Sequence, residues 1–212
     1  MLIKKIEHSF ESFELNILDI ELKENSINGL VGKNGAGKTT FMEILSGFRK
    51  ANMAFEVEGL NEKDILFVPS DLLVYDYLTV GEFLDFIIKY SDTTVSADLL
   101  LEKLNLENKA NTLIEELSQG MKKKLTLVPL FTKKYSTIIL DEPFNSIDLG
   151  YIYTLKKYLV ELKRRTTIII SSHILDTLAD ICDSVILIEN GDIKKHIKDS
   201  ISIKKLEREI FG

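Results

Sequence analysis

The sequence predicts an α/β fold with a mostly parallel sheet, an antiparallel β subdomain at its N-terminal end and an inserted helical subdomain. Three observations point there. Four short apolar runs, Ile65–Val68, Thr137–Leu140, Thr167–Ile170 and Val185–Ile188, read as strands buried on both faces. The last three are separated by helix-length stretches at 148–163 and 174–182, the alternation of βαβ units. Residues 2–22 instead alternate polar and apolar side chains, as half-buried antiparallel strands do.

Taken in order, Phe13-Glu14-Leu15-Asn16-Ile17 shows that alternation most clearly. Phe10 and Phe13 lie ahead of the first glycine-rich loop, and either can stack on a ligand base or serve as one more core aromatic. Ser26–Val31 reads as a short strand leading into that loop, and Thr39–Gly47 as an amphipathic helix leaving it. Met53–Val57 is another alternating strand, closed by Gly59, and Pro69 ends the run Ile65–Val68. Val80–Tyr90 and Ser96–Leu106 carry helical periodicity, and no glycine occurs between Gly81 and Gly120. No Pro/Gly/Ser-rich linker bounds this stretch, so one domain over 1–212 is expected, with its helical part at about 72–130. Pro129 removes a backbone donor and is expected to kink or end the helix that follows Ser118. Ile201–Phe211 has the pattern of a short amphipathic helix.

The most informative stretch is Gly32-Lys33-Asn34-Gly35-Ala36-Gly37-Lys38-Thr39-Thr40, which fits G-x-x-x-x-G-K-[ST]. Glycines let the backbone turn sharply and approach a polyphosphate closely. Successive N–H groups then form an anion nest at a helix start. Lys38 adds a charge for the β- and γ-phosphates, and the Thr39 hydroxyl can ligate Mg²⁺.

Two further strand ends carry polar groups. Asp141 and Glu142 follow Thr137–Leu140, where ligands of open α/β sheets bind. Asp141 is placed to hold Mg²⁺ opposite Thr39, and Glu142 to orient or deprotonate an attacking water. Ser171-Ser172-His173 repeats the arrangement: His173 can sense the γ-phosphate, and Ser172 can equally cap the helix that follows. In Leu117-Ser118-Gln119-Gly120-Met121, Ser118 is a good N-cap, and the amides after it make a second anion-binding helix start.

Composition narrows the remaining classes. A net charge of −6 argues against nucleic acid as the main partner, and the basic runs Lys122–Lys124, Lys133-Lys134 and Lys163–Arg165 read as solvated helix faces or as favourable cations near a helix C-terminus. The single cysteine, Cys182, cannot form a disulfide within the chain and reads as a buried thiol in a reducing compartment. No apolar run approaches the ~18 residues of a membrane span, and the first residues lack a signal-peptide core. A cytoplasmic protein is expected, whose membrane role comes through a partner.

Together these motifs resemble, in order and spacing, the ATP-binding subunit of ATP-binding cassette (ABC) transporters over nearly the whole chain. Gly32–Thr40 resembles the family's Walker A motif, Leu117–Met121 its signature, and Ile138–Pro143 Walker B with the adjacent glutamate. Asn145–Asp148 resembles the D-loop and His173 the switch histidine. The resemblance implies a P-loop NTPase (RecA-like) core that binds ATP with Mg²⁺, using Thr39 and Asp141 at the metal and Glu142 and His173 in catalysis. It also implies a head-to-tail homodimer or heterodimer, with Ser118, Gln119, Gly120 and Asp148 of one chain completing the nucleotide site of the other. An integral membrane permease subunit would anchor the pair on the inner face of the membrane. No C-terminal regulatory extension is seen, which leads toward export of small or peptide substrates. A soluble ABC-type ATPase and a weakly hydrolysing regulatory module are the alternatives.

Three positions depart from the family pattern. Ser70 stands where glutamine is expected, so a metal contact there would need water or Asp71. Pro129 interrupts the helix after the signature, and no aromatic aligns cleanly for base stacking, with Phe10 the choice made on sequence.

Overall fold

The structure is a computed structural model that describes residues 1–10, 12–70, 75–91, 93–198 and 201–211. Strands β1 (Leu2–Ser9) and β2 (Glu14–Glu21) form the expected antiparallel pair, with Ile6 opposite Ile17. β3 (Ile27–Val31) is buried at every residue and runs into the glycine loop; α1 (Lys38–Leu45) leaves it. β4 (Ala54–Glu58) pairs antiparallel with β1 at one sheet edge, and β5 (Ile65–Val68) forms the other edge, so it is not the strand buried on both faces that its apolar run suggested: it pairs only with β6, and Ile65 and Phe67 stay partly exposed.

Between β5 and β6 the described chain is helical: α2 (Val80–Tyr90), α3 (Ala97–Leu104) and α4 (Gln119–Thr126). Thr79 and Glu82 form a reciprocal capping box at the start of α2, a T-x-x-E pattern worth about 1 kcal/mol at such a position. Ser118 caps α4 by accepting the Met121 N–H at 3.3 Å. α4 ends at Thr126 and Pro129 sits in the 3-10 turn Val128–Phe131, so the proline does stop the helix.

The rest alternates as a βαβ chain should. β6 (Thr137–Leu140), α5 (Leu149–Leu162), β7 (Thr167–Ser171), α6 (Leu175–Ile181) and β8 (Ser184–Glu189) follow in turn, and α7 (Ile203–Phe211) comes last after a ninth strand. β5, β6, β7, β3 and β8 pair in parallel, with Leu140 opposite Ile170 and Leu30 opposite Ser171. Alternate residues face opposite ways. Leu140, Ile170 and Leu187 join one apolar cluster with Leu84, Leu104 and Leu125 of the helical insertion. Ile139, Ile169 and Ile186 join another with Phe41 and Met42 of α1 and Ile6 and Ile17 of the antiparallel strands. Each such fully buried side chain contributes about 1.5–3 kcal/mol, so both faces of the sheet are anchored.

The strand absent from the sequence reading is β9 (Asp192–Ile197), which pairs antiparallel with β8 and touches β2 in parallel at Asn16–Asp192. It makes the antiparallel subdomain continuous with the parallel core: the sheet order among described strands is β4-β1-β2-β9-β8-β3-β7-β6-β5. Asn190 and Gly191 make the hairpin turn with φ of 53° and 88°, the Asn-Gly signature of a tight hairpin. Gly191 donates its N–H to the Ala36 carbonyl at 3.0 Å and accepts the Asn16 N–H at 2.9 Å. The turn therefore braces the glycine loop from below.

Two other expectations change. Lys123 and Lys124 are buried, at 8% and 6% exposure, so of the two readings they are not a solvated face but cations in the last turn of α4. Lys123 Nζ donates to the Ser70 carbonyl at 2.8 Å, and Lys124 Nζ lies 2.9 Å from Asp148 Oδ2. Ser172 does not cap α6, whose N-cap is Ile174; its hydroxyl instead accepts the Ile174 N–H at 3.0 Å within the preceding turn. Cys182 is a free thiol whose pKa burial pushes up, as a structural cysteine requires. Asp71 lies outside the described residues.

A Cβ added to Gly191 would sit 1.8 Å from the Glu14 carbonyl oxygen. Gly191→Ala is expected to cost roughly 2–4 kcal/mol through clash and positive φ. A thermal denaturation midpoint lowered by several degrees would confirm it, and an unchanged midpoint would show the turn is not a brace.

Candidate functional site

The C-terminal ends of β3, β6 and β7 lie side by side because those strands pair in parallel and in register. Each end delivers one part of a cleft of about 490 Å³. From β3 come Asn34, Gly35, Ala36, Gly37, Lys38, Thr39 and Thr40; from β6 come Asp141, Glu142 and Asn145; His173 comes from β7.

The loop has the geometry its composition demands. Gly35 and Gly37 adopt φ of 79° and 105°, a region costly for residues with a Cβ. Gly32 passes so close to β8 that a Cβ would lie 2.3 Å from the Ile188 carbonyl oxygen. Past Gly37 the first N–H groups of α1 have no partner within the helix, so they can grip an anion. Lys38 is buried and curls back along the loop, donating to the Gly32 and Lys33 carbonyls at 2.7 and 3.2 Å. Burial lowers its pKa, while the carboxylates of Glu142 and Asp141 oppose that shift.

Asp141 is buried and fully engaged. Its Oδ2 accepts the Thr39 hydroxyl at 2.7 Å and its Oδ1 the Ser171 hydroxyl at 2.5 Å. The facing oxygens of Thr39 and Asp141 are hard donors of the kind Mg²⁺ prefers. Among the described residues no three His, Cys, Asp or Glu side chains converge on a metal position. An ion here would thus draw its other ligands from phosphate oxygens and water, as Mg²⁺ commonly does.

Glu142 is the strained residue of the site. Its φ of 49° lies in the left-handed region, a conformation that costs of order 1–3 kcal/mol for a side chain of this kind. The Ser171 hydroxyl accepts its N–H at 2.8 Å, and its own Oε2 accepts the His173 N–H at 3.2 Å. Oε1 lies 3.0 Å from His173 Nε2 but is not aligned for a hydrogen bond, which leaves a buried acceptor atom unfilled. Burial raises the Glu142 pKa, and the His173 cation pulls it back. A carboxylate with one free, desolvated oxygen beside a histidine can take a proton from water.

Several candidate residues lie elsewhere. Phe10 packs edge-on against His8 with ring centroids 4.5 Å apart and under Arg49 at 5.4 Å, not against the loop. Phe13 lines the cleft instead, its Cζ 2.8 Å from where a Gly37 Cβ would sit. Ser118, Gln119 and Gly120 are on α4 and do not line their own chain's cleft; Gly120 packs against the Ser146 carbonyl. Asp148 does not line it either: it caps α5 by accepting the Tyr151 N–H at 2.9 Å and pairs with Lys124, which holds its carboxyl below the usual range. Ser70 does line the cleft, and Ser171, to which no separate role is assigned from its position in the chain, bridges the two acidic residues. A second cavity, of about 510 Å³, opens at the opposite strand ends. There Asn28 is already saturated by Ser26, Ser184 and the Ile168 carbonyl.

A glycine loop, an acidic strand end and a strand-end histidine around one phosphate-sized cleft define a P-loop nucleotide hydrolase. The family model described as ABC transporter matches residues 15–145, and the chain belongs to that family: it is an ABC ATPase, an ATP-binding subunit of transporters. It is 33% identical over 184 residues to an uncharacterised ABC transporter ATP-binding protein of Methanocaldococcus jannaschii, covering 84% of this chain and 69% of that one. A protein of Chlorella vulgaris named as a probable sulfate/thiosulfate import ATP-binding protein is 27% identical, over 91% of this chain and 89% of its own. Among solved structures, the ATP-binding subunit of an ABC transporter superposes with a TM-score of 0.79 at 24% identity, covering 98% of this chain and 92% of that one.

The positions of the two phenylalanines make a paired prediction. Phe13→Ala is expected to weaken ATP binding roughly 5- to 20-fold, as loss of one aromatic–base stack of about 1–2 kcal/mol would. Phe10→Ala should stay within about 2-fold of wild type. Titration with a fluorescent ATP analogue reads both, and the reverse ranking would restore Phe10 to the site.

Proposed function

We propose that this chain binds ATP with Mg²⁺ and powers a membrane exporter of small or peptide substrates, acting as one half of a head-to-tail pair docked on an integral permease. One observation carries the reading. The two anion-gripping helix starts, at Lys38 and at Gln119, belong to different parts of one chain, and only the first lines its own cleft. A second copy turned head to tail would bring its Ser118, Gln119 and Gly120 amides to the exposed side of the γ-phosphate.

In such a pair the loop amides and Lys38 hold the phosphates, and Thr39 and Asp141 would hold Mg²⁺, which supplies charge neutralisation on the phosphate oxygens when bound. Phe13 stacks on the base. Glu142 takes a proton from the attacking water through its free Oε1, and His173 fixes that carboxylate and stands at the γ-phosphate position. Loss of the γ-phosphate removes the charge joining the halves, which turns hydrolysis into separation. Ser70, too short for a direct metal contact, serves through its backbone carbonyl on Lys123.

This chain offers such a permease a suitable surface. Tyr77, Tyr75, Phe86 and Tyr90 form, in that spatial order, an exposed aromatic ridge on the helical part, with successive ring centroids 6.0, 5.9 and 4.8 Å apart. Contiguous exposed aromatics of this kind mark interaction sites. Among the described residues no helix is long and apolar enough to cross a membrane, so the spanning segments would belong to that partner. Direction is the finer part of the proposal, and ATP-driven flux out of or into sealed vesicles decides it.

Three outcomes test the scheme. Lys38→Ala should abolish measurable ATP binding in calorimetry. Glu142→Gln should lower turnover by roughly 100-fold or more while accumulating an ATP-bound dimer in size-exclusion chromatography; wild-type turnover would remove Glu142 from the mechanism. Because burial raises the Glu142 pKa and the His173 cation lowers it, the acid limb of the pH–rate profile should lie above the ordinary carboxylate range. His173→Ala removes the opposing cation, so the limb should move further up as turnover falls; a limb that moves down would refute the pairing. Separately, the double variant Tyr77→Ala/Phe86→Ala should keep ATP binding yet lose co-purification with an integral membrane protein. Retained co-purification would move the docking surface elsewhere.

A further inference from the structure

We infer that Ser171 is the positioning residue that sets the two acidic side chains of the site, aiming Asp141 at the metal and Glu142 at water. The inference rests on the proposed metal role of Asp141. Ser171 ends β7 and has no exposed surface. Its hydroxyl carries one proton, donated to Asp141 Oδ1 at 2.5 Å, and its oxygen accepts the Glu142 N–H at 2.8 Å. One group thus grips two consecutive residues of the neighbouring strand end.

The strand register makes this possible. Leu140, the last residue of β6, lies opposite Ile170, so Ser171 and Asp141 stand one step past the ladder on adjacent strands. With Oδ1 engaged by Ser171, the carboxylate plane is fixed and Oδ2 points at the Thr39 hydroxyl, 2.7 Å away. The same hydroxyl anchors the N–H of Glu142, whose backbone is held at a φ of 49°. That turn carries the Glu142 carboxylate to His173, with contacts of 3.0 and 3.2 Å. Without the hydroxyl, Asp141 is free to rotate about its side-chain bonds and the Glu142 turn is free to relax. Partners that orient a metal-binding carboxylate in this way affect the metal site nearly as much as the ligand itself.

The test separates orientation from mere stability. Mn²⁺ serves as the probe, titrated by electron paramagnetic resonance onto full-length protein saturated with a non-hydrolysable ATP analogue. Nucleotide affinity is measured in parallel with metal chelated. Ser171→Ala is expected to weaken Mn²⁺ binding by roughly 10- to 100-fold, with metal-free nucleotide affinity within about 2-fold of wild type. Ser171→Thr, which keeps the hydroxyl, should recover most of the loss. If Ser171→Ala does not fold, Ser171→Cys, a weak donor of similar size, should show the same split. Wild-type Mn²⁺ affinity in a folded Ser171→Ala or Ser171→Cys protein overturns the inference, as does an equal loss in folded Ser171→Thr. Asp141→Ala is the control: if it leaves Mn²⁺ affinity unchanged, the metal reading itself fails and takes this inference with it. If Asp141→Ala loses the metal while Ser171→Ala does not, only the positioning role falls.

Discussion

The reactive part of this chain depends on the parallel pairing of β3, β6 and β7. A parallel ladder leaves all its C-terminal strand ends on one side, and the register here is unbroken, with Leu140 beside Ile170 and Leu30 beside Ser171. Residues far apart in sequence are thereby forced to leave the sheet together: the glycine loop, the acidic pair and the serine–histidine turn. Their backbones leave a ladder buried on both faces, so they cannot drift relative to one another. Side-chain bonds then refine what the ladder has placed, through Thr39, Asp141 and Ser171 in series.

The start of α4, proposed as the grip for a second copy's nucleotide, is fixed to the glycine-loop side of the chain by a different kind of contact. α4 starts at Gln119 under the cap of Ser118, and its buried lysines reach outward to two loops. Lys123 holds the Ser70 carbonyl at the edge of the cleft, and Lys124 pairs with Asp148 above the Tyr151 ring at 4.5 Å. Gly120 lets the helix start approach the Ser146 carbonyl, which a Cβ would meet at 2.4 Å. These are polar links and close backbone contacts at the rim of a shared apolar cluster. Links of that kind can re-form after a small shift, whereas the ladder under the glycine loop cannot. The geometry therefore assigns rigidity to phosphate binding and compliance to the surface that would meet a second copy.

Much of this was legible in the sequence, for physical reasons. Strands buried on both faces must be apolar at every position, and the runs at β6, β7 and β8 were visible as such, whereas the equally apolar run at β5 belongs to a half-buried edge strand. A backbone that wraps a phosphate must use glycine, and so Gly35 and Gly37 declared the loop. What escaped depends on partners distant in sequence. β9 reads Asp192-Ile-Lys-Lys-His-Ile, mostly exposed, and only Asn190-Gly191 ahead of it announced a hairpin. Phe10 and Phe13 are alike in composition; the bond from the Phe10 N–H to the Phe13 carbonyl, at 2.8 Å, closes the turn and decides which ring faces Gly37. Lys123 and Lys124 looked solvated because charge predicts exposure, and the carbonyl and carboxylate that let them be buried come from other segments. Ser171 was invisible for the same reason: a serine at a strand end is ordinary until its neighbour on the next strand is known.

Glu142 shows why the site tolerates strain where the rest of the fold avoids it. A carboxylate in water accepts protons poorly near neutral pH because hydration stabilises its charge. Burial strips that hydration and raises the pKa, making it a stronger base, but burial alone would also protonate it and silence it. The neighbouring His173 opposes this by favouring the charged form, and the two side chains meet 3.0 Å apart with the Glu142 backbone at a φ of 49°. In the proposed role of Glu142, strain, burial and the histidine are therefore three parts of one compromise: a base strong enough to take a proton from water and still ionised enough to do so. Without the histidine, burial would push the carboxyl further toward its neutral form.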